Sequence, residues 1–256
     1  MSNLKVVLID LSGTLHIENE STPGAVEALN RLRQCNLKIK FVTNTTKESR
    51  RNLHERLLKI GFQINVDEIY TSLWAAREFI KKEQLNNPML LVDDNALEDL
   101  EVSNKDGEHD AVVVGLAPKQ FNRATLNKAF RILLDGGRLI AVNKSKYYMR
   151  KDGLALATGS FVKTLEYATG IDATVVGKPN IEFFEGALDG VQPDEAIMIG
   201  DDVLDDIGGA QNLGIRGYLV KTGKYRVGDE NKIDPAPIKC IESFSSAVED
   251  IISSIR

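Results

Sequence analysis

The chain is expected to be an α/β protein, with a Rossmann-like, doubly wound parallel-sheet core that carries an inserted α/β cap module. Three observations predict this. Apolar runs of about four residues, many of them β-branched, recur along the 256 residues, as buried parallel strands require. Stretches with helical apolar spacing lie between them, so strand and helix alternate. Several runs also end in polar residues suited to phosphate chemistry, and open α/β sheets bind ligands at the carboxyl ends of their strands.

The elements follow in order. Val6-Val7-Leu8-Ile9 is the first strand and delivers Asp10, then Leu11-Ser12-Gly13-Thr14-Leu15. Thr22-Pro23 starts a helix, since the missing N–H of proline costs nothing in a first turn, and Ala25, Leu29 and Leu32 continue it. A strand over 39–42 delivers Thr43 and Asn44. A second amphipathic helix begins near Lys47, carries Leu53, Leu57 and Leu58, and stops at Gly61. A helix over 73–82 leads to Asn86-Asn87-Pro88. Beyond it come strands at 89–92, 111–114 and 139–142, and helices at 120–134 and 161–168 that end in Asp135-Gly136-Gly137 and Gly170. The run 173–176 delivers Gly177-Lys178-Pro179. The run 196–199 delivers Gly200-Asp201-Asp202, with Asp205 and Asp206 a turn later. A strand near 218 and a helix at about 244–254 complete the chain. Residues 80–174 are too many for a loop. They are read as a separate α/β cap hung over the rim of the sheet, leaving 1–79 and 175–256 as the core.

Composition narrows the function. With 43% hydrophobic and 27% charged residues the chain is of ordinary globular type. A net charge of −5 argues against nonspecific binding to nucleic acid or to a membrane surface. No apolar stretch approaches a membrane span, and the N-terminus enters a strand with no signal-peptide pattern. Cys35 and Cys240 are too few and too isolated for a disulfide framework or a zinc site, so a reduced, cytoplasmic setting is expected. The oligomeric state stays open, a homodimer included.

The polar groups at the strand ends form the parts of a metal-dependent phosphoryl-transfer site. A lone Asp10 would most simply cap a turn. Ser12-Gly13-Thr14 beside it offers backbone N–H groups to an anion, and glycine permits a tight turn. A carboxylate next to a divalent ion and a phosphoryl group can act as a nucleophile. Thr43 and Asn44 read equally well as a helix N-cap and as phosphate ligands, because helix N-termini favour anions. Lys178 sits at a strand-to-helix junction, where it can neutralise the nucleophile and the transferring group. Asp201, Asp202, Asp205 and Asp206 put four carboxylates in six residues. Asp202 and Asp205 suit a helix start, Asp201 suits a hard cation such as Mg²⁺, and Asp206 suits an outer or water-mediated ligand. His16, His54 and His109 lack metal-ligand spacing, and His16 is assigned to a loop or the surface.

The ordered set Asp10-x-Ser12-Gly13-Thr14, Thr43-Asn44, Gly177-Lys178-Pro179 and Gly200-Asp201-Asp202-x-x-Asp205-Asp206 resembles the haloacid dehalogenase (HAD) superfamily, and the insertion resembles the large α/β cap of its subfamily IIA. Leu165-Glu166-Tyr167-Ala168 and Lys221-Thr222-Gly223-Lys224-Tyr225 resemble segments of two members of that group, and the long run Phe41-Val42-Thr43-Asn44-Thr45-Thr46-Lys47-Glu48-Ser49 favours one of the two. The resemblance implies a Mg²⁺-dependent phosphatase that works through an aspartyl phosphate on a small phosphorylated substrate. Asp10 is then nucleophile and metal ligand, and Ser12 lends its backbone carbonyl to the metal. Thr43 and Asn44 bind phosphoryl oxygens, Lys178 bridges nucleophile and phosphate, and Asp201 and Asp206 complete the metal site. The chain departs from the family pattern at Ser12, where most members carry a second Asp as general acid and base. Activated substrates (aryl phosphates, phosphoramidates, pyrophosphate) are therefore expected over alkyl phosphates. The competing reading is a degenerate member that binds phosphate or a protein partner with little turnover. A receiver-like phosphoacceptor has no use for the insertion, and a dinucleotide-binding fold lacks Gly-x-Gly-x-x-Gly after its first strand.

Overall fold

Every residue of β1 (Val6–Asp10) is buried, as in a strand covered on both faces. The computed structural model describes residues 3–102, 107–150 and 153–255. After β1 come a small hairpin, β2 (His16–Ile17) and β3 (Glu20–Ser21), then α1 (Ala25–Leu32), β4 (Lys38–Thr43), α2 (Arg50–Ile60), β5 (Ile69–Thr71) and α3 (Ser72–Lys82). The middle of the chain holds β6 (Met89–Leu91), β7 (Ala111–Val114), α4 (Arg123–Leu134), β8 (Arg138–Ala141), the hairpin β9 (Tyr147–Arg150) and β10 (Gly153–Leu156), α5 (Thr158–Thr169) and β11 (Thr174–Val175). The last third comprises α6 (Ile181–Leu188), β12 (Ala196–Gly200), α7 (Gly209–Asn212), β13 (Arg216–Val220), β14 (Lys239–Ile241) and α8 (Phe244–Ile255).

These elements form two compact units. The first comprises Met1–Thr43, Arg51–Tyr70 and Lys178–Arg256. Its sheet has the order β14-β13-β12-β1-β4-β5, and β1 pairs in parallel with both β12 and β4. Alternate side chains of a strand face opposite sides. Val7 and Ile9 accordingly join a core with Leu29 and Leu32 of α1, Leu53 and Leu57 of α2, and Val248 and Ile251 of α8. Helix α6, with Phe183 and Phe184 fully buried, contacts β1 as well.

The second unit comprises Asn44–Arg50 and Thr71–Gly177. Its parallel sheet, β11-β8-β7-β6, is also covered on both faces. On one face Leu73, Ala76, Phe79 and Ile80 of α3 pack with Val113 and Ile140. On the other, Ala129 and Leu133 of α4 and Val162 and Leu165 of α5 pack with Val112 and Val114.

The structure corrects three sequence expectations. The unit boundaries fall at 71 and 177 rather than 80 and 174, because α3 supplies one wall of the second core. Strand β11 does not belong to the first sheet: Thr174 and Val175 pair with Ile140 and Ala141 of β8. Lys178 therefore follows a strand of the second unit. Helix α2 begins at Arg50 instead of near Lys47, since Ser49 N–H donates to the Asn95 carbonyl and Leu116 N–H to the Thr46 hydroxyl. Those bonds tie residues 46–49 to the second unit before the helix starts.

Candidate active site

The site is built at the carboxyl ends of β1 and β12. Asp10 is the last residue of β1, Asp201 directly follows β12, and a π-helical turn, Val203–Gly208, carries Asp206. Among the described residues, carboxylate oxygens of Asp10, Asp201 and Asp206 lie within 4.8 Å of one another, and all three residues are buried. Lys178 is 3% exposed. Its Nζ donates to Asp10 Oδ1 at 2.6 Å, to Asp206 Oδ1 at 2.7 Å and to the Val42 carbonyl at 3.1 Å. Val42 is the register partner of Asp10 on β4, so the lysine spans the two strand ends. The second oxygen of Asp206 accepts from the Asp202 N–H at 3.1 Å. Both Asp206 oxygens are thus engaged within the cluster.

The charge balance of this cluster is unfavourable by itself. Burial first, and then the neighbouring Asp10 carboxylate, push Asp201 up to about 7. Asp206 lies well above the ordinary range, again through burial, although Lys178 opposes the shift. Burial and Asp202 raise Asp205 to about 6. Burial disfavours the charge on Lys178, but Asp10 and Asp206 outweigh it and raise its pKa. Three buried carboxylates facing one ammonium call for more positive charge. An oxygen-only donor set of this kind suits a hard divalent cation.

Asp202 Oδ1 caps the turn through the N–H groups of Leu204 and Asp205, both at 3.0 Å. Thr43 is buried at the end of β4. Asn44 opens the segment grouped with the second unit, where its carbonyl accepts from Asn143 Nδ2 at 3.1 Å. Ser12 is exposed, in the turn that starts at Asp10. His16 is neither in a loop nor on the surface: it is 3% exposed, pairs with Ser21 in the small hairpin, and gives its carbonyl to Gly13 N–H.

The sequence reading assigned no role to the loop after β13. Lys224 N–H donates to Asp201 Oδ2 at 2.6 Å, the Thr222 hydroxyl to the Gly13 carbonyl at 2.6 Å, and Lys224 Nζ to Asp202 Oδ2 at 3.0 Å. The loop's sequence signal is the segment Lys221-Thr222-Gly223-Lys224-Tyr225, which by itself marks only the family resemblance.

A family model described as haloacid dehalogenase-like hydrolase matches residues 7–104, and one described as HAD-hydrolase-like matches 175–247. Over 254 residues the chain is 57% identical to haloacid dehalogenase-like hydrolase domain-containing protein 2 of Homo sapiens, covering 98% of this chain and 97% of that one. The chain belongs to the haloacid dehalogenase-like hydrolases. This HAD-like hydrolase is also 37% identical, over 262 residues, to phospholysine phosphohistidine inorganic pyrophosphate phosphatase of Xenopus laevis, with 99% and 96% of the two chains covered. Among solved structures, p-nitrophenyl phosphatase from Archaeoglobus fulgidus matches with a TM-score of 0.89 at 28% identity, covering 97% of this chain and 99% of that one. The resemblance read from the four motifs is borne out in family, in the Rossmann-like α/β fold and in enzyme class. No helix among the described residues is long and apolar enough to cross a membrane.

Proposed function

We propose that this HAD-like hydrolase is a Mg²⁺-dependent phosphatase that transfers the phosphoryl group of a small, activated phosphorylated compound to Asp10 and then to water. The observation that carries the reading is the Asp10–Lys178–Asp206 chain beside Asp201, all buried at the strand ends. The names of the relatives, a p-nitrophenyl phosphatase and a phospholysine, phosphohistidine and pyrophosphate phosphatase, support the substrate class.

In this reading an Asp10 oxygen attacks phosphorus, the bond from phosphorus to the leaving group breaks, and water later cleaves the acyl phosphate to free phosphate and the carboxylate. Lys178 fixes Asp10 and places positive charge beside the transferring group. Thr43 and Asn44 bind phosphoryl oxygens. Asp10, the Ser12 carbonyl and Asp201 would hold the Mg²⁺, with Asp206 contributing from outside. When bound, the ion supplies charge neutralisation and orientation. The second unit acts as a substrate-selecting cap, with 147–153 contributing to selection; residues 151 and 152 lie outside the described residues. A cytoplasmic setting fits such a substrate, and a homodimer is compatible with it.

The test is a panel of phosphorylated compounds assayed with Mg²⁺ and with chelator. Hydrolysis of aryl phosphate, phosphoramidate or pyrophosphate that chelator stops and Mg²⁺ restores is the expected result. If no compound turns over while phosphate still binds, the degenerate reading, which Ser12 favours, replaces this one.

A further inference from the structure

We propose that the loop 222–224 is the positioning clamp of Asp201. By occupying one carboxylate oxygen, it restricts Asp201 to a single metal-facing oxygen and so favours Mg²⁺ over Ca²⁺. The inference rests on the reading of Asp201 as a metal ligand.

Asp201 Oδ2 is held from three sides. Lys224 N–H donates to it at 2.6 Å. Gly13, at φ +95°, and Gly223, at φ +54°, wall it in: a methyl group added at 223 would overlap Oδ2 and sit 2.6 Å from Gly13 Cα. No side chain other than hydrogen fits either position. The two glycine segments are joined by the Thr222 hydroxyl, which donates to the Gly13 carbonyl at 2.6 Å. Behind them the loop is anchored by Lys221 Nζ on Glu242 at 2.6 Å and by Tyr225 N–H on the Thr222 carbonyl at 3.1 Å.

Oδ1 of Asp201 accepts no hydrogen bond from the described residues. Swinging Oδ2 toward an ion would pull against the Lys224 N–H bond and the two glycines that crowd it, whereas Oδ1 is not held in this way. Ca²⁺ readily takes bidentate carboxylates at longer distances, whereas Mg²⁺ takes single oxygens in a tight octahedron. A clamp on one oxygen therefore discriminates between the two.

The experiment is calorimetric titration of the full chain with MgCl₂ and with CaCl₂, for wild type, Thr222→Val, Thr222→Ser, Gly223→Ala and Asp201→Asn. Outer-shell partners of metal ligands are typically worth about 10–100-fold in affinity. Thr222→Val, which keeps the shape and loses the donor, should weaken Mg²⁺ by about tenfold and Ca²⁺ by less. Thr222→Ser should restore the wild-type ratio of the two constants. Gly223→Ala should act in the same direction more strongly, and the valine variant carries the test should the alanine chain not fold. An unchanged Mg²⁺/Ca²⁺ ratio in folded Thr222→Val, with Asp201→Asn abolishing binding, overturns the clamp alone. Undiminished Mg²⁺ binding by Asp201→Asn overturns the metal assignment beneath it.

Discussion

Replacing Lys178 by Met removes the ammonium and keeps much of the stem. Two salt bridges, at 2.6 and 2.7 Å to Asp10 and Asp206, and one bond to the Val42 carbonyl are lost in a site where the lysine is 3% exposed. Removing one partner of a buried ion pair typically costs about 3–5 kcal/mol, because the remaining charge is left uncompensated. Three carboxylates within 4.8 Å put this case toward the upper end. For a unit of this size, 1 kcal/mol moves the melting temperature by about 2–4 °C, so the expected loss is on the order of 6–20 °C. The pH dependence has a definite sign. A lysine whose pKa is raised in the folded state contributes its stability fully below its unfolded value of 10.5, so wild type has the whole benefit at pH 7. In the variant, Asp206, already raised by burial, loses the ammonium that opposed the shift. Its folded form then takes up a proton more readily than its unfolded form, and the deficit shrinks on acidification. Differential scanning calorimetry of metal-free wild type and Lys178→Met at pH 7 and at about pH 5 measures both effects. A variant as stable as wild type at pH 7, or one whose deficit grows in acid, refutes the reasoning.

Two further outcomes are expected. Ser12→Asp should raise kcat/KM on alkyl phosphates more than on nitrophenyl phosphate, by up to about 10²–10⁴-fold, since only poor leaving groups need a proton donor; a wild type that prefers a sugar phosphate to every activated substrate shows that another residue supplies the proton. In the second unit, burial disfavours the Glu166 carboxylate, but Lys144 Nζ at 2.6 Å, Ala173 N–H at 2.9 Å and Lys163 Nζ at 3.2 Å hold it at about 2 against an ordinary 4.5. A depressed carboxylate contributes stability above its unfolded pKa and loses it as pH falls through the folded one. Glu166→Gln should therefore cost about 1–2 kcal/mol at pH 7, after discounting for its solvent-screened lysines, and urea titrations should show the gap to wild type closing between pH 4.5 and about 2.

Much of the fold was legible because strands covered on both faces must be continuously apolar. The runs at 6–9, 111–114 and 196–199 are buried throughout and are strands. Asp10, Lys178 and Asp201 could be named because each stands at the end of an apolar run, where a charge is unusual, and Asp206 because it stands about a helical turn beyond one. What could not be read was set by pairing between distant segments. Nothing in Ala173-Thr174-Val175-Val176 says that its partner is Ala141 rather than a strand of the first sheet. The start of α2 was displaced by Asn95, 46 residues beyond Ser49 (95 − 49). His16 looked like a loop residue because two-residue strands leave no periodicity. The Lys224 contact with Asp201 has no sequence signature because it is made by a backbone N–H, which every residue but proline carries.

The most direct measurement of the proposed chemistry is to quench turnover of a reactive aryl phosphate with Mg²⁺ present, reduce the protein with borohydride, and map position 10. Reduction of an aspartyl phosphate leaves homoserine. Homoserine at position 10 in wild type, and none in chelator-treated protein or in Asp10→Asn, which should also be inactive but folded, is the predicted result. Robust hydrolysis by Asp10→Asn, or full turnover with no modification at Asp10, would contradict it.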